Sequence, residues 1–224
     1  VLCADLAAGR LPILEPDLQE LLTANRDRIR FTDDPVALGA CEVIYFSLDV
    51  PTDDHNRSDL SGLRQLIHSV APHAKPGATL VVLSQVHPGF TRQLGAELQP
   101  ALVERNIQLF YQVETLIFGQ AVERALHPER YIVGCADPRA PLSAPLAELL
   151  DAFGCPIFPM RYESAELAKI SINIFLAASL SATNTLAEIC EGVGADWAEI
   201  VPTLRLDKRI GQHAYLTPGL GIAG

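Results

Sequence analysis

Short apolar runs alternate with amphipathic stretches along the first two-thirds of the chain. Residues 41–48 (CEVIYFSL) and 79–84 (TLVVLS) are near-continuous and rich in β-forming residues. That is the pattern of strands buried on both faces. Residues 28–32, 107–111, 131–135 and 156–158 are shorter strand candidates. Residues 60–74 carry Leu63, Leu66, Ile67 and Val70 at helical spacing and stop at Lys75-Pro76-Gly77. Further helices are expected at 91–104 and 142–153, around 17–24, and at 1–8, where Gly9 ends the first one. Residues 49–58 form a polar loop. Strands alternating with helices predict a parallel α/β sheet over about residues 28–158. Right-handed crossovers bring the C-terminal ends of such strands to one edge, where ligands bind.

The alternation stops near Met160-Arg161. Residues 161–194, RYESAELAKISINIFLAASLSATNTLAEICEGVG, contain no proline, and 170–186 contain no formal charge. This predicts one long helix over about 162–192, unbroken at Asn173 and buried around its circumference. Ser171, Asn173, Ser179, Ser181, Thr183, Asn184 and Thr185 make it too polar for a membrane span. Glu163 and Glu166 suit its N-terminal end, and Gly192 or Gly194 its stop. Glu166, Lys169 and Asn173 share one face, with Asn184 about three turns beyond. A cation and a carboxamide one turn apart can stabilise a developing oxyanion. The same pattern also suits a lysine that snorkels to solvent and an asparagine that caps a neighbour.

Composition narrows the function. The 224 residues are 49% hydrophobic and 20% charged, which describes a globular protein with an ample core. The net charge of −10 argues against a general nucleic-acid binder. Cys3, Cys41, Cys135, Cys155 and Cys190 are scattered, odd in number and without a CxxC pair. They read as reduced thiols of a cytoplasmic protein, and no metal site is expected. There is no signal peptide, and Val1 is not expected to be the true start.

The helix motif AEL-x-K-x-x-x-N-x-FLA, followed by N-x-x-A-x-x-CE, resembles the central helix of the UDP-glucose/GDP-mannose dehydrogenase family. Other blocks follow that family's order: GRLPILEPDL (9–18), VPTD (50–53) with SDLS (58–61), VETLIFGQA (113–121), HPERYIVG (127–134), and DKRIG (207–211) before a loop ending in PGLGIAG. The resemblance covers nearly the whole chain, and GRLPI and RIG are closer to the UDP-glucose branch. It implies NAD as cofactor, a nucleotide-sugar substrate and oxidation of an alcohol carbon to the carboxylate, for polysaccharide biosynthesis. It also implies a homodimer whose central helices, residues 162–192, form the core. No nucleic-acid or membrane partner is expected. The implied fold is a Rossmann-like parallel sheet over 1–160, with its first βαβ unit missing, and an all-helical central domain over 161–224.

The resemblance assigns roles residue by residue. Lys169 and Asn173 match the family's oxyanion pair, and Glu114 matches a carboxylate near the reacting water or thioester. Val50, Pro51, Ser84 and Gln85 lie at strand ends where the cofactor would pass. Leu116, Arg209, Leu216, Gly219 and Gly221 match substrate contacts. Arg209 also has an alternative reading as a surface partner of Asp207 or another acid. GLGIAG, residues 219–224, has the letters of a dinucleotide fingerprint but no strand before it. It resembles the family's sugar-nucleotide loop instead, with the nucleophilic cysteine expected two positions beyond Gly224. The cofactor's glycine turn and ribose-binding Asp would precede Val1, so residues 1–224 alone should bind NAD poorly. Asp5 lies too near Gly9 to be that Asp.

Several positions depart from the family pattern. Val50 replaces Thr, Gln85 replaces a Thr associated with the catalytic water, His87 replaces Pro, and Ala223 replaces Gly. Gln112-Val113 replaces Asn-Pro, and Phe118 replaces a second Glu. These changes keep open a divergent enzyme with a single oxidation or a cofactor-recycling step, a non-catalytic homologue, and a new acid/base role for His87.

Overall fold

The computed structural model describes residues 2–55 and 57–221. The last three residues of GLGIAG therefore lie outside the described residues. The chain divides into two compact units, residues 1–169 and 170–224.

The first unit is built on a five-stranded sheet in the order β1 (Val43–Phe46), β2 (Thr79–Val82), β3 (Gln108–Gln112), β4 (Tyr131–Cys135), β5 (Ile157–Arg161). Every residue of β2 is buried, as its unbroken apolar run requires. Before β1 come α1 (Leu2–Ala7) and α2 (Leu18–Ala24). Between strands lie α3 (Ser61–Val70), α4 (Phe90–Glu104), α5 (Ala121–Leu126) and α6 (Ala144–Asp151). Leu63 and Ile67 of α3, Leu94 and Leu98 of α4, and Leu146 and Leu150 of α6 are buried. Each pair sits three or four residues apart, the spacing of one helical face. Leu146 and Leu150 pack with Val81, Phe110, Val133 and Cys135 on one side of the sheet.

Two expectations change. The sheet is not wholly parallel: β1, β2 and β3 are parallel, β3 and β4 antiparallel, and β4 and β5 parallel again. The segment between β3 and β4 carries only the short α5, and an antiparallel neighbour needs no crossover helix. Residues 28–32 form no strand; Arg26–Arg28 is a 3₁₀ turn and an extended stretch follows. Ile29 and Phe31 alternate with arginines there and give a strand too little apolar surface to bury.

The long helix is present as α7 (Tyr162–Val193), 32 residues without a break. Its first turns belong to the first unit. Gly134 of β4 makes their approach possible: a Cβ there would meet Ala165 Cβ at 3.0 Å and Tyr162 Cα at 3.2 Å. Tyr162 lies buried and its hydroxyl donates to Leu109 O at 2.6 Å.

The second unit holds the rest of α7, then α8 (Trp197–Leu206) and a loop through Gly221. After α7 ends, Ala195 N returns to Cys190 O at 3.0 Å, which satisfies a terminal carbonyl. Within this unit α7 is not buried around its circumference. Leu180, Thr183 and Cys190 are buried, whereas Ile174, Leu186 and Ile189 are exposed and Phe175 is 74% exposed. One short helix and one loop cannot cover a helix of this length. By length and composition alone, α7 is also apolar enough to cross a membrane, contrary to the sequence expectation.

Candidate functional site

In the first unit the C-terminal ends of β1, β2 and β3 face one edge, because these strands are parallel. Three loops leave that edge, and they carry eight of the residues singled out above. After β1 come Val50, partly buried, and Pro51, exposed. Pro51 O accepts from Asp59 N at 2.8 Å, and Thr52 bridges Ser58 in antiparallel fashion, so the VPTD and SDLS blocks close into one small ribbon. Asp53 holds its turn through the backbone amides of His55 and Arg57 at 2.9 and 2.8 Å. Those amides and the Arg57 side chain keep its carboxyl below the usual range.

After β2, Ser84 is buried and its hydroxyl donates to Leu48 O at 2.6 Å. It therefore ties this loop to the one after β1, while Gln85 and His87 are exposed. The loop ends at Gly89, whose φ of +93° only glycine adopts readily. After β3, Glu114 is partly buried and accepts from Leu116 N through its carboxylate. The Glu15 carboxylate accepts from Gly119 N at 2.9 Å and Ala121 N at 2.6 Å, which caps α5 and fixes the end of the same loop. Leu116 is exposed, and Phe118 is 78% exposed.

Lys169 reaches this edge from α7. Its Nζ donates to Glu114 O at 2.8 Å and lies 3.7 Å from the Glu114 carboxylate. Only 17% of the lysine side chain is exposed, so this is not a snorkelling lysine. Tyr111, buried at the end of β3, is held protonated well above its usual range, by burial first and then by the carboxylates of Glu166 and Glu114. Arranged this way, a cation and a carboxylate share one sheet edge and can offer a donor and a base to the same substrate atom.

Glu166 is the residue whose part the sequence did not disclose. It is fully buried, and its two oxygens accept from Gly89 N at 2.5 Å and Thr91 N at 2.8 Å, at the start of α4. Its spacing from Lys169 was visible in the sequence, but its partners lie far away along the chain.

In the second unit, Asn173 is partly buried, and its side chain forms no hydrogen bond among the described residues. Asn184 is more engaged: it donates to Gly219 O at 2.8 Å and accepts from Gly219 N at 3.0 Å. Thr183 donates to Tyr215 O at 2.6 Å, and Trp197 Nε1 donates to Leu216 O at 3.0 Å. These bonds hold the loop that carries Leu216, Gly219 and Gly221. A cavity of about 370 Å³ is lined by Leu180, Tyr215, Leu216, Thr217, Gly219 and Gly221. Arg209 does not point to that loop; 89% of its side chain is exposed and it pairs with Asp207 at 2.6 and 3.0 Å. Of its two readings, the surface ion pair is the arrangement adopted.

The residues present fit a dinucleotide in part. Val50, Pro51 and Gln85 stand at neighbouring parallel strand ends, where open α/β sheets take such ligands. Ser84, buried and bonded to Leu48, shapes that edge rather than facing it. No group of three or more metal-ligating side chains occurs among the described residues.

Comparison with known proteins agrees with this geometry. Residues 3–153 match the model of the UDP-glucose/GDP-mannose dehydrogenase family, NAD binding domain, and residues 163–224 match the family's central domain. The UDP-glucose 6-dehydrogenase TuaD of Bacillus subtilis is 31% identical over 98% of this chain and 48% of its own length. The UDP-glucose 6-dehydrogenase AglM of Haloferax volcanii is 32% identical over 99% of this chain and 54% of its own length. A solved UDP-glucose dehydrogenase from Pyrobaculum islandicum superposes with a TM-score of 0.85 at 29% identity, over 100% of this chain and 52% of that one. A GDP-mannose dehydrogenase structure from Pseudomonas aeruginosa, at 22% identity and TM-score 0.82, shares the fold over 97% of this chain and 52% of its own. The chain spans about half the length of the curated relatives it matches. With an NAD-binding domain and a central domain in the family's order, and a sheet edge that gathers the residues of its motifs, this chain belongs to the UDP-glucose/GDP-mannose dehydrogenase family.

Proposed function

We propose that the intact protein is an NAD-dependent nucleotide-sugar dehydrogenase, oxidising an alcohol carbon of a UDP-glucose-like substrate to the carboxylate. The observation that carries this reading is the Lys169–Glu114 contact, 2.8 Å to the backbone oxygen and 3.7 Å to the carboxylate, at the loop edge of the sheet. When bound, NAD would supply the hydride acceptor twice, once for each two-electron oxidation of that carbon, with water giving the carboxylate its second oxygen.

The chain's own residues supply the rest. Val50, Pro51 and Gln85 border the cofactor. Lys169 places a positive charge beside the oxygen that becomes anionic as its proton leaves ahead of hydride transfer, and Asn173 offers a neutral donor one turn along α7. Glu114 takes up the proton released from the alcohol or from water. By their match to the family's motifs, Leu116 in the first unit and, separately, Leu216, Gly219 and Gly221 in the second are assigned to the nucleotide sugar, and Arg209 can leave its partner Asp207 for a phosphate oxygen. The named relatives are dehydrogenases, which favours this reading over a non-catalytic homologue.

The exposed apolar side of α7 supports a homodimer. Ile174, Phe175, Leu186 and Ile189 form more apolar surface than a soluble monomer leaves bare. A two-fold partner presenting the same helix would cover it, and Ala177, Ala178 and Ser181 allow close approach. The eight Ser, Thr and Asn residues along α7 suit a protein interface better than lipid. We place the enzyme in the cytoplasm on the same reasoning. Incubation of the intact protein with NAD and UDP-glucose should produce NADH and the sugar acid. Absence of NADH with a panel of UDP- and GDP-sugars, together with no binding of either ligand by calorimetry, would overturn the proposal.

A further inference from the structure

We infer that Glu166 is a positioning residue that sets the loop after β2 against the turn of α7 carrying Lys169. The inference rests on the dehydrogenase reading of Lys169 and Glu114. Helix α4 begins without a cap of its own. Its first flanking residue is Gly89, which has no side chain to accept from the exposed amides, and no side-chain cap bond forms from it. Glu166 supplies the missing acceptor from another element. Its two oxygens take the amides of Gly89 and Thr91, and it is fully buried there. A carboxylate is well placed at this spot, because amides at a helix start carry partial positive charge and charge-assisted bonds are the strong ones.

The consequence is geometric. The loop of residues 84–89 is pinned at both ends, by Ser84 on Leu48 O at 2.6 Å and by Gly89 on Glu166 at 2.5 Å. Gln85, His87 and Pro88, the exposed residues between, are thereby carried on a segment of fixed path. Glu166 and Lys169 are neighbours on one helical face. The same carboxylate that fixes the loop thus fixes the height of Lys169 above it. Arg92 of α4 adds a second tie to α7, through Glu163 at 3.1 Å and over the Tyr162 ring at 5.3 Å. That tie is exposed, so Glu166 is the one shielded from water.

Glu166→Gln keeps the shape and removes the charge. Its amide nitrogen cannot accept, so one of the two amides loses its partner. In the intact enzyme, kcat should fall about tenfold to a hundredfold while KM for the nucleotide sugar stays within about threefold, because alignment and not binding is lost. Amide exchange over residues 84–93 should quicken, with α6 unchanged. A kcat equal to wild type in folded protein would reduce Glu166 to a structural cap and overturn the inference. Unchanged exchange over 84–93 would show that no tether exists. If Glu166→Gln does not fold, Glu166→Asp retains the charge on a shorter stem and should show a smaller loss of kcat; an unaltered kcat there also overturns it. A wild-type enzyme inactive on every nucleotide sugar would sink the dehydrogenase reading, and the exchange experiment would then decide the tether by itself.

Discussion

Lys169→Ala separates the chemical part of this lysine from its structural part. The truncation removes a charged donor 2.8 Å from Glu114 O and a cation 3.7 Å from the carboxylate. A hydrogen bond from a charged group contributes about 1.5–3 kcal/mol. The ion pair adds at most about 1 kcal/mol, since a third of the Glu114 side chain meets solvent. Glu114 then gains water in place of the ammonium, which offsets part of the loss, so unfolding in urea should show a destabilisation of about 2 kcal/mol. The rate should suffer more. Loss of one donor to a developing oxyanion costs about 10² to 10³ in kcat, which is about 2.7–4 kcal/mol in activation free energy. NADH formation under saturating substrate measures the second quantity, and circular dichroism confirms that the variant is folded. Lys169→Arg should recover stability more fully than rate, because a planar fork cannot occupy the ammonium's position. A Lys169→Ala enzyme that is destabilised as expected yet turns over within about twofold of wild type would refute the oxyanion role and leave a purely structural contact.

Other outcomes follow from the same structure. Thr91 is fully buried, and its hydroxyl oxygen has no hydrogen-bond partner among the described residues; Thr91→Val should raise stability by about 1 kcal/mol, read from the urea midpoint. Gly134→Ala places a Cβ 3.0–3.2 Å from Ala165, Tyr111 and Tyr162, and should cost about 1–3 kcal/mol in the same measurement. Phe175→Glu should yield monomer by light scattering at low micromolar concentration, and a dimer that tolerates the charge would remove α7 from the interface. The Tyr45 hydroxyl donates to Gln112 at 2.9 Å, and burial pushes its pKa from 10.0 up to about 12. The folded state thus holds this proton more tightly than the unfolded chain. Its contribution is complete below pH 10.0 and disappears as pH rises toward about 12. Tyr45→Phe should flatten that alkaline decline in urea midpoint.

Much of the fold is legible in the sequence for a simple reason. Buried strands such as 79–82 must be apolar at every position, and α7 must lack proline over its whole length, so both leave continuous marks. The direction of β4 leaves none, because a period of two reads the same from either end. Residues 28–32 show the opposite error: alternation without enough apolar area suggests a strand that has no ladder to join. The site divides similarly. Lys169 and Asn173 stand out by spacing on one helix, and the pairing of Arg209 with Asp207 is a contact two residues long. Glu166 and Glu15 act on amides 75 to 106 residues away. Nothing local to either carboxylate discloses a backbone donor, since every residue but proline has one.

The reversal between β3 and β4 has a further consequence, for how such a protein changes over time. A parallel pair demands a crossover, and its connection must be long enough and wound the right way to return to the start of the next strand. The antiparallel pair lifts that demand from residues 113–130, which leave and rejoin the sheet at the same edge. Glu114, Leu116 and Phe118 all sit on this segment. Apart from Glu114, its length and composition can drift without shifting the register of any strand. The loops after β1 and β2 have no such licence, because each must still feed a crossover helix. Within one sheet, the hinge between parallel and antiparallel order thus divides a constrained half of the site from one open to variation.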